Sequence, residues 1–275
     1  MEKFNFSVSM CVYGKDDPQH FKTALESILN QTAMPDEVVL VVDGPVPEAL
    51  GNIISQYENN PIFNIIRFSE NRGHGEARRA GLEACEFELV ALMDADDIST
   101  PDRFEKQIKL FKQDSQLSIV GGNITEFVDN PENIVGKRIV PEDDHEIKEY
   151  MKKRCPMNQM TVMFKKTDVC SVGGYIDWYC DEDYYLWLRM ALEGMKFKNL
   201  FDTLVNVRVG KEMYSRRGGY KYFKSEARLQ VYMLKNRVIS PVTFLINVLK
   251  RLIVQVLLPN RVRGWVFKKF ARVEN

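Results

Sequence analysis

An apolar run ends in three carboxylates in the stretch ELVALMDADD, residues 88–97. The run predicts a buried strand, and Asp94, Asp96 and Asp97 follow it at once. On extended backbone, residues two apart project to the same side, so Asp94 and Asp96 can approach one point, where their charges repel unless a cation intervenes. Oxygen ligands suit Mn²⁺ or Mg²⁺, and Mg²⁺ commonly binds one or two carboxylates together with substrate phosphates. The pattern therefore predicts half of a metal site that a diphosphate completes.

Two other interpretations of this stretch stay open. The carboxylates can cap the turn before a helix that starts near Pro101, because Asp is common in that role. An Asp-x-Asp pair after a buried strand is also typical of aspartyl phosphotransferases. In that scheme the pair normally follows the first strand, whereas here it follows the fourth predicted strand.

The elements that would position these residues alternate between strand and helix. Predicted strands cover residues 6–13, 37–42, 63–68, 88–93 and 117–122, and helical patterns cover 21–31, 76–85 and 101–113. This alternation predicts an α/β fold with a mainly parallel, Rossmann-like sheet flanked by helices. Ligands bind such sheets beyond the carboxyl ends of the strands, so we expect Tyr13, Asp43 and the cluster at Asp94 along one edge.

Length and composition exclude little. A chain of 275 residues with 45% apolar and 28% charged residues suits one large soluble domain, or one domain with an appendage. The five cysteines form no CxxC pair, which favours buried, reduced thiols over a disulfide framework or a zinc site. The N-terminal stretch MEKFNFSVSMCVYG has no long apolar core, so we expect a cytoplasmic protein.

The net charge of zero hides an asymmetry between the two ends of the chain. Residues 1–207 hold 22 Lys and Arg against 35 Asp and Glu, whereas residues 208–275 hold 16 against 3. The resulting net charges, −13 and +13, predict a basic tail that meets an anionic partner, either a membrane or a nucleic acid. The alternative is a tail that packs on its own acidic domain.

The tail from residue 218 reads as helical, and one of its helices is amphipathic. Its apolar stripe consists of Val242, Leu245, Ile246, Leu249, Leu252, Ile253, Val256 and Leu257. Its polar face consists of Asn247, Lys250, Arg251 and Gln255. Seventeen residues with a Lys-Arg pair in mid-span do not suit a membrane crossing. A basic amphipathic helix followed by Trp265 and two Phe suits the plane of a membrane surface. The alternative is an ordinary helix packed on the rest of the chain.

Several stretches resemble one known family. MDADDISTPDRFEKQ resembles the Asp-x-Asp region of inverting family 2 glycosyltransferases with the GT-A fold. VSMCVYGKDDPQHFKTALESILNQT, DEVVLVVDG, NRGHGEARRAGLEAC and DEDYYLWLR resemble further elements of that family, in the right order over roughly residues 6–210. The tail YSRRGGYKYFKSEARLQ resembles a bacterial subgroup that builds exopolysaccharide and O-antigen repeats.

The resemblance implies a GT-A catalytic domain over residues 1–210, with a nucleotide-sugar half (1–125) and an acceptor half (126–210), and a basic helical extension over 211–275. It implies metal-dependent, inverting transfer of a hexosyl or N-acetylhexosaminyl group from a UDP-sugar, with Mn²⁺ or Mg²⁺ as cofactor. The acceptor would be a saccharide, lipid-diphosphate-linked or free, in bacterial surface polysaccharide synthesis. The protein would act at the inner face of the plasma membrane, and no nucleic acid is expected.

The resemblance also implies roles for single residues on the donor side. Tyr13, Asp43 and Arg78 would hold the uracil and ribose of the donor, Asp94 would lie near the ribose and the metal, and Asp96 would bind the metal. Each residue has a structural alternative as well. Tyr13 can be a rim aromatic, Asp43 can cap the turn at Gly44-Pro45, and Arg78 can be an exposed helix charge.

On the acceptor side, inversion requires a base that takes the proton of the acceptor hydroxyl. Spacing to Trp187 and Arg189 matches the family with Asp183 as this base. Asp181 is then expected to cap the helix, and Glu182 to line the acceptor site.

Cationic help for the leaving diphosphate would come from Arg208, Lys211, Arg216 or Arg217, where many relatives carry a His instead. His74, between two glycines, is predicted to be a loop residue rather than a catalyst.

Three rival functions stay open. A nucleotidyl- or phosphotransferase would need a phosphate-binding loop such as GxxxxGK[ST], and the sequence contains none. A catalytically inactive, membrane-associated scaffold or acceptor-binding module of GT-A fold is disfavoured by the intact Asp43, Asp94, Asp96 and Asp183. The third is nucleic-acid binding by the tail.

Overall fold

The computed structural model describes residues 4–210 and 218–259. Within these residues one sheet holds β1 (Phe6–Tyr13), β2 (Glu37–Asp43), β3 (Phe63–Arg67), β4 (Leu89–Met93), β5 (Ile98–Ser99), β6 (Leu117–Phe127), β7 (Ile134–Arg138), β8 (Met163–Lys165) and β9 (Lys196–Arg208). The helices are α1 (Pro18–Leu29), α2 (Glu48–Ser55), α3 (His74–Ala84), α4 (Arg103–Gln113), α5 (Asp144–Met151), α6 (Lys166–Ser171), α7 (Glu182–Leu192), α8 (Tyr220–Lys235) and α9 (Pro241–Arg251). A π-helical segment, Leu252–Leu257, continues α9.

The strand order is β3-β2-β1-β4-β8-β6-β9-β5, with β7 paired to β6. Strands β1 to β4 are parallel, which confirms the predicted crossover pattern. The register places Tyr13 beside Asp43 and Met10 beside Met93. The carboxyl ends of three strands therefore open at one edge of the sheet, where the predicted donor residues follow them.

The core lies on both faces of the sheet. Val38, Leu40 and Val42 of β2 pack into one apolar cluster, and Val39 and Val41 pack into the other. Burial on both faces explains why these strands read as continuous apolar runs rather than alternating ones.

The second half of the sheet was only partly evident from the sequence, since the strand predicted at 117–122 begins β6 but β9 was not predicted. Strand β8 runs antiparallel between β4 and β6, and the long strand β9 pairs parallel to β6. The short strand β5 pairs antiparallel to β9, and this brings the segment after Asp97 against the end of β9. As a result Arg208, 111 residues further along the chain, hydrogen-bonds to Asp97.

The five cysteines are free thiols, as predicted. The prediction that they are buried is confirmed for Cys85 but wrong for Cys170 and Cys180, which are exposed. Neither exposed residue belongs to a strand: one lies in the last turn of α6, and the other in the turn before α7.

The tail is helical over the described part, residues 218–259, as predicted. Helix α9 packs on the rest of the chain through Phe244 and through its polar face. The side chain of Asn247 donates to the backbone carbonyl of Lys152 at 2.9 Å and to Gln230 at 2.8 Å. Among the described residues no helix is long and apolar enough to cross a bilayer. The predicted division of the chain at residue 210 stays a prediction.

Candidate active site

The three carboxylates after β4 divide into two groups. Asp97 is 2% exposed and accepts a hydrogen bond from the backbone N–H of Arg208 at 2.9 Å. Its burial, followed by the charges of Asp96 and Asp94, raises the pKa of Asp97 well above its usual value. Asp97 therefore anchors β9, whereas Asp94 and Asp96 line the cavities described below.

None of the three carboxylates lies at the N-cap position of helix α4. That helix begins at Arg103, and its N-cap residue, Asp102, makes no capping bond with its side chain. The cluster is separated from that helix by the strand β5 and a turn.

Arg78 is buried, not the exposed helix charge considered as its alternative. Its side chain is 4% exposed, and its Nη2 donates to Asp94 Oδ1 at 2.8 Å. Its Nε lies 3.1 Å from His74 Nε2, and the amide oxygen of Gln159, when turned toward it, accepts from Nη1 at 3.1 Å. Arg78 thus fixes the orientation of Asp94 from the neighbouring helix.

Asp43, at the end of β2, is held by the loop before α3. Its carboxylate accepts from Arg72 N at 2.7 Å, from Gly73 N at 3.0 Å and from the Asn71 side chain at 3.0 Å. Gly44 permits this approach, since it has φ of 87° and a Cβ there would lie 2.6 Å from Asn71 N. A carboxylate offers about four acceptor positions, so one remains for a ligand N–H or O–H.

Tyr13 and Asp43 line a cavity of about 600 Å³ that extends to Asp94 and Asp96. Asp16 lies in the same wall, and its carboxylate accepts from Tyr13 N at 2.9 Å. Burial raises the pKa of Asp16 to about 6; the Tyr13 N–H opposes this, and the charges of Asp96 and Asp94 add to it. Sequence reasoning did not single out Asp16. The neighbouring residue, Asp17, caps α1 with its side chain.

The acidic group Asp16, Asp94 and Asp96 is the part of the structure that suits a cation. Within residues 4–210 and 218–259, no cluster of three or more His, Cys, Asp or Glu side chains is arranged to hold a metal on its own. The donor atoms here are all carboxylate oxygens, which suit a hard divalent ion whose remaining ligands are phosphate and water. The residues fit Mn²⁺ or Mg²⁺ bound jointly with a diphosphate.

A second cavity, of about 950 Å³, adjoins the first. The two share His20, His74, Asp94 and Asp96 in their walls. The larger cavity continues to the start of α7, where Asp181, Glu182 and Asp183 lie, and to the C-terminal helices. The predicted donor and acceptor residues are thus brought together in one groove, with the carboxylate pair in the middle.

Asp183 is partly buried and makes few hydrogen bonds. Its carboxylate accepts from Tyr184 N at 2.6 Å, and the Cys155 thiol lies 3.9 Å from its second oxygen. Burial, followed by the charge of Glu182, raises the pKa of Asp183 to about 6. A carboxylate of this kind can take a proton near neutral pH.

The prediction that Asp181 caps α7 is wrong at the level of the side chain. Asp181 holds the N-cap position, but its carboxylate makes no capping bond, whereas the Asp183 carboxylate accepts from the backbone N–H of Tyr184. Asp181 is 4% exposed, and its Oδ2 has no partner among the described residues. Burial, followed by the charge of Glu226 on α8, raises the pKa of Asp181 well above its usual value. The residue therefore faces the C-terminal helices rather than its own helix.

His74 is not merely a loop residue. It is the first residue of α3, and its Nδ1 lies 3.4 Å from Glu182 Oε1 while its Nε2 faces Arg78. The imidazole therefore links the arginine beside Asp94 to the acidic start of α7. The flanking glycines suggested a loop, and the contact with Glu182 could not be predicted because that residue lies far away in the sequence.

Of the predicted cationic helpers, Arg208 lines the larger cavity. Its Nε donates to the backbone carbonyl of Asp96 at 3.2 Å, and its guanidinium lies 4.7 Å from the centre of the Phe127 ring. Lys211, Arg216 and Arg217 lie outside the described residues. The lining of this cavity also includes a basic wall, made up of Arg138, Lys153, Arg154, Lys250 and Arg251.

Comparisons of sequence show clear relatives. The model of the family described as Glycosyl transferase family 2 matches residues 7–174. An uncharacterized glycosyltransferase of Haemophilus influenzae is 43% identical, covering 84% of this chain and 85% of its own. A UDP-Gal:alpha-D-GlcNAc-diphosphoundecaprenol beta-1,3-galactosyltransferase of Escherichia coli is 37% identical, covering 97% and 96%. The amylovoran biosynthesis glycosyltransferase AmsE of Erwinia amylovora is 39% identical, covering 84% and 85%.

Comparisons of structure show the same fold. TarS 1–349 of S. aureus in complex with UDP-GlcNAc superposes with a TM-score of 0.67 at 17% identity, covering 96% of this chain and 76% of that one. The mannosyltransferase PcManGT of Pyrobaculum calidifontis, in complex with GDP-Man and Mn²⁺, superposes with a TM-score of 0.64 at 16% identity, covering 94% and 71%. The α/β fold predicted from the sequence is thus the GT-A fold.

Proposed function

Because this chain belongs to glycosyl transferase family 2, we propose that it transfers a hexosyl or N-acetylhexosaminyl group from a UDP-sugar to a lipid-diphosphate-linked saccharide, with inversion at the anomeric carbon. The observation that carries the proposal is the single groove that joins Asp43, the pair Asp94 and Asp96, and Asp183. Nucleotide, diphosphate and acceptor can lie along this groove in that order.

On the donor side, Tyr13 and the remaining acceptor position of Asp43 would bind the uracil and ribose, with Asn71 and Gly73 in the same wall. Arg78 would act through Asp94, because its Nη2 already pairs with that carboxylate. Asp94 would then lie near the ribose and the metal. The name of the E. coli relative makes UDP-Gal the first donor to test.

Asp96, with Asp94, would hold Mn²⁺ or Mg²⁺ together with the donor diphosphate. When bound, the metal would neutralise the negative charge that develops on the leaving UDP. Arg208 lines the same part of the groove and would add a second positive charge; Arg216 and Arg217 stay candidates for this role.

On the acceptor side, the acceptor hydroxyl oxygen would attack the anomeric carbon from the face opposite UDP. The carbon–oxygen bond to UDP breaks as the new glycosidic bond forms, and Asp183 takes the hydroxyl proton. Glu182, oriented by His74, would bind the acceptor saccharide. The basic wall that contains Arg138 and Arg251 suits the diphosphate of a lipid-linked acceptor.

The setting of this reaction would be bacterial exopolysaccharide or O-antigen synthesis at the cytoplasmic face of the plasma membrane. Support comes from the E. coli relative, whose named acceptor is linked to diphosphoundecaprenol, and from the amylovoran enzyme. In this proposal residues 1–210 form the catalytic domain and the tail serves attachment.

Calorimetric titration of the purified protein with UDP, with and without Mn²⁺, tests the donor site. We expect UDP binding that requires the metal and that Asp96→Ala removes, together with nearly all transfer. Asp102→Ala is the matched control, because that carboxylate pairs with Lys106, at 2.8 Å, and lies outside both cavities. Metal-independent UDP binding, or normal binding by folded Asp96→Ala, would contradict the metal role.

A further inference from the structure

Helix α9 and the turn after it present a large apolar face to solvent. Seven aliphatic side chains are each between 37% and 68% exposed: Val242, Leu245, Ile246, Leu249, Ile253, Val256 and Leu257. They recur at helical spacing and therefore form one continuous stripe. Apolar patches of this extent on a soluble protein usually mark an interaction site.

The orientation of this helix is fixed by hydrogen bonds on its opposite face. Asn247 and Gln255 are 5% and 4% exposed, and Asn247 bonds to Lys152 O and to Gln230. Arg251 Nη2 donates to Lys153 O at 3.0 Å, and its Nε lies 2.9 Å from Glu226 Oε2. The hydrophobic effect alone would favour the opposite orientation, with the leucines buried and these polar groups exposed. The polar contacts therefore hold the apolar face outward.

The surroundings of this face are strongly basic. Among the described tail residues, 218–259, Lys and Arg occur at seven positions and acidic residues at one, Glu226, whose carboxylate already contacts Arg251. Lys235 and Arg237, just before α9, are exposed, as is Lys250 within it. The sequence from 261 to 272 adds five Lys or Arg and three aromatic residues.

We propose that the outward face of α9 and its continuation is a membrane-docking surface, which lies in the interfacial plane of a bilayer that contains anionic lipid. The apolar stripe would enter the boundary between headgroups and acyl chains, and the flanking cations would contact the headgroups. A second copy of this chain is a poorer occupant of the stripe, because the two basic surroundings would repel each other.

Docking in this way would place the acceptor cavity at the membrane. Lys250, Arg251, Val254 and Gln255 line that cavity from the same helix. The basic wall would then lie near headgroup level, where the diphosphate of a lipid-linked acceptor is found. This consequence rests on the proposed function, whereas the docking surface itself does not.

Cosedimentation with phosphatidylcholine–phosphatidylglycerol vesicles tests the docking surface on the full chain. We expect the wild type to sediment with the vesicles, and Leu245→Glu/Leu249→Glu to lose at least about tenfold in partitioning. Ile134→Glu/Phe201→Glu is the matched control, because these side chains are 36% and 69% exposed but lie in the sheet. Lys235→Glu/Arg237→Glu should lose several-fold on the same vesicles, and less on pure phosphatidylcholine.

Circular dichroism and sedimentation velocity complete this test. All variants should keep the wild-type spectrum, since the changed side chains are exposed. Wild-type partitioning by the Leu245→Glu/Leu249→Glu protein would overturn the proposal. Failure of the wild type to sediment with vesicles would also overturn it. A wild-type dimer that is lost in this variant would overturn it too, because a second copy of the chain would then occupy the apolar face.

A transfer assay distinguishes failure of this proposal from failure of the proposed function. With a water-soluble, short-chain acceptor diphosphate, Leu245→Glu/Leu249→Glu should keep the wild-type rate, and with an acceptor embedded in vesicles it should lose most of it. Equal rates on both acceptors would overturn the coupling of docking to acceptor capture. Absence of transfer by the wild type in both formats would count against the proposed function and leave the vesicle result standing.

Discussion

The fold holds Asp43 and Asp94, at the donor end of the groove, differently from Asp181 and Asp183, at the acceptor end. On the donor side, Asp43 accepts three hydrogen bonds and Asp94 pairs with Arg78. On the acceptor side, Asp183 accepts from Tyr184 N and has a long contact with the Cys155 thiol, and Asp181 has a buried oxygen without a partner among the described residues. The pKa values of Asp181 and Asp183 are raised, chiefly by burial.

This difference matches two kinds of chemistry. A carboxylate that accepts several hydrogen bonds or pairs with a cation is held in one orientation and can position a nucleotide or a metal ion. A carboxylate that is buried and poorly satisfied binds a proton more readily, as a base near neutral pH must. The same residue type therefore serves both ends because its surroundings differ.

The largest expected effect is a loss of turnover, caused by a substitution at the acceptor end alone. Asp183→Asn removes the base and should lower kcat by about 10²–10⁴-fold, while the affinity for UDP with Mn²⁺ stays at the wild-type value. Steady-state kinetics and calorimetry on the same preparation measure both. Glu193→Gln, an exposed change at the far end of α7, is the control and should alter neither quantity. A loss of UDP binding in Asp183→Asn would place this residue at the donor end instead.

The pH dependence of kcat/KM in the wild-type protein tests the role of Asp183 without a substitution. The pKa of Asp183 is raised to about 6, so its basic form is lost as the pH falls through that value. We expect kcat/KM to be level above about pH 7 and to fall roughly tenfold per pH unit well below 6. A profile that stays level down to pH 5 would show that this carboxylate does not act as the base.

The smallest expected effect is on stability, with opposite signs at the two ends. Asp183→Asn removes a charge whose burial is unfavourable and should raise the free energy of unfolding at pH 7.5 by about 1–3 kcal/mol. Because the folded pKa is about 6 and the usual value is 3.8, this gain should disappear below about pH 4, where both states are protonated. Urea unfolding at the two pH values measures it.

Asp43→Asn should have the reverse effect, because three hydrogen-bond donors lose a charged acceptor. We expect a loss of about 1–3 kcal/mol in the same urea experiment. Destabilisation by both variants would show that the two ends of the groove do not differ in the way described.

The donor end was predictable because it depends on local pattern. Apolar runs fixed β1, β2 and β4, and parallel strands place their carboxyl ends together, so Tyr13, Asp43 and Asp94 could be grouped from sequence. Asp97 resembled its neighbours in sequence, but only the pairing of β5 with β9 shows that it binds Arg208 N. That contact spans 111 positions and leaves no local signal.

The acceptor end depends on contacts between distant segments. Glu226 on α8 faces Asp181, and His74 reaches Glu182, and neither pairing follows from residue spacing. Helix α9 was correctly identified as amphipathic. Its polar face packs on the rest of the chain while its apolar face is exposed, so this packing leaves room for the proposed membrane contact. Its polar face could pack inward because Lys152 and Lys153 offer backbone carbonyls there.

The most direct test of the central claim is transfer itself. The purified enzyme with Mn²⁺ would be given UDP-Gal, then UDP-GlcNAc, with an N-acetylglucosaminyl diphospholipid acceptor, and the product linkage would be read by NMR. We predict a β-linked disaccharide from the α-linked donor, absent with Asp183→Asn. An α-linked product would contradict inversion with Asp183 as base, and product formed by Asp183→Asn at the wild-type rate would contradict the assignment of the acceptor end.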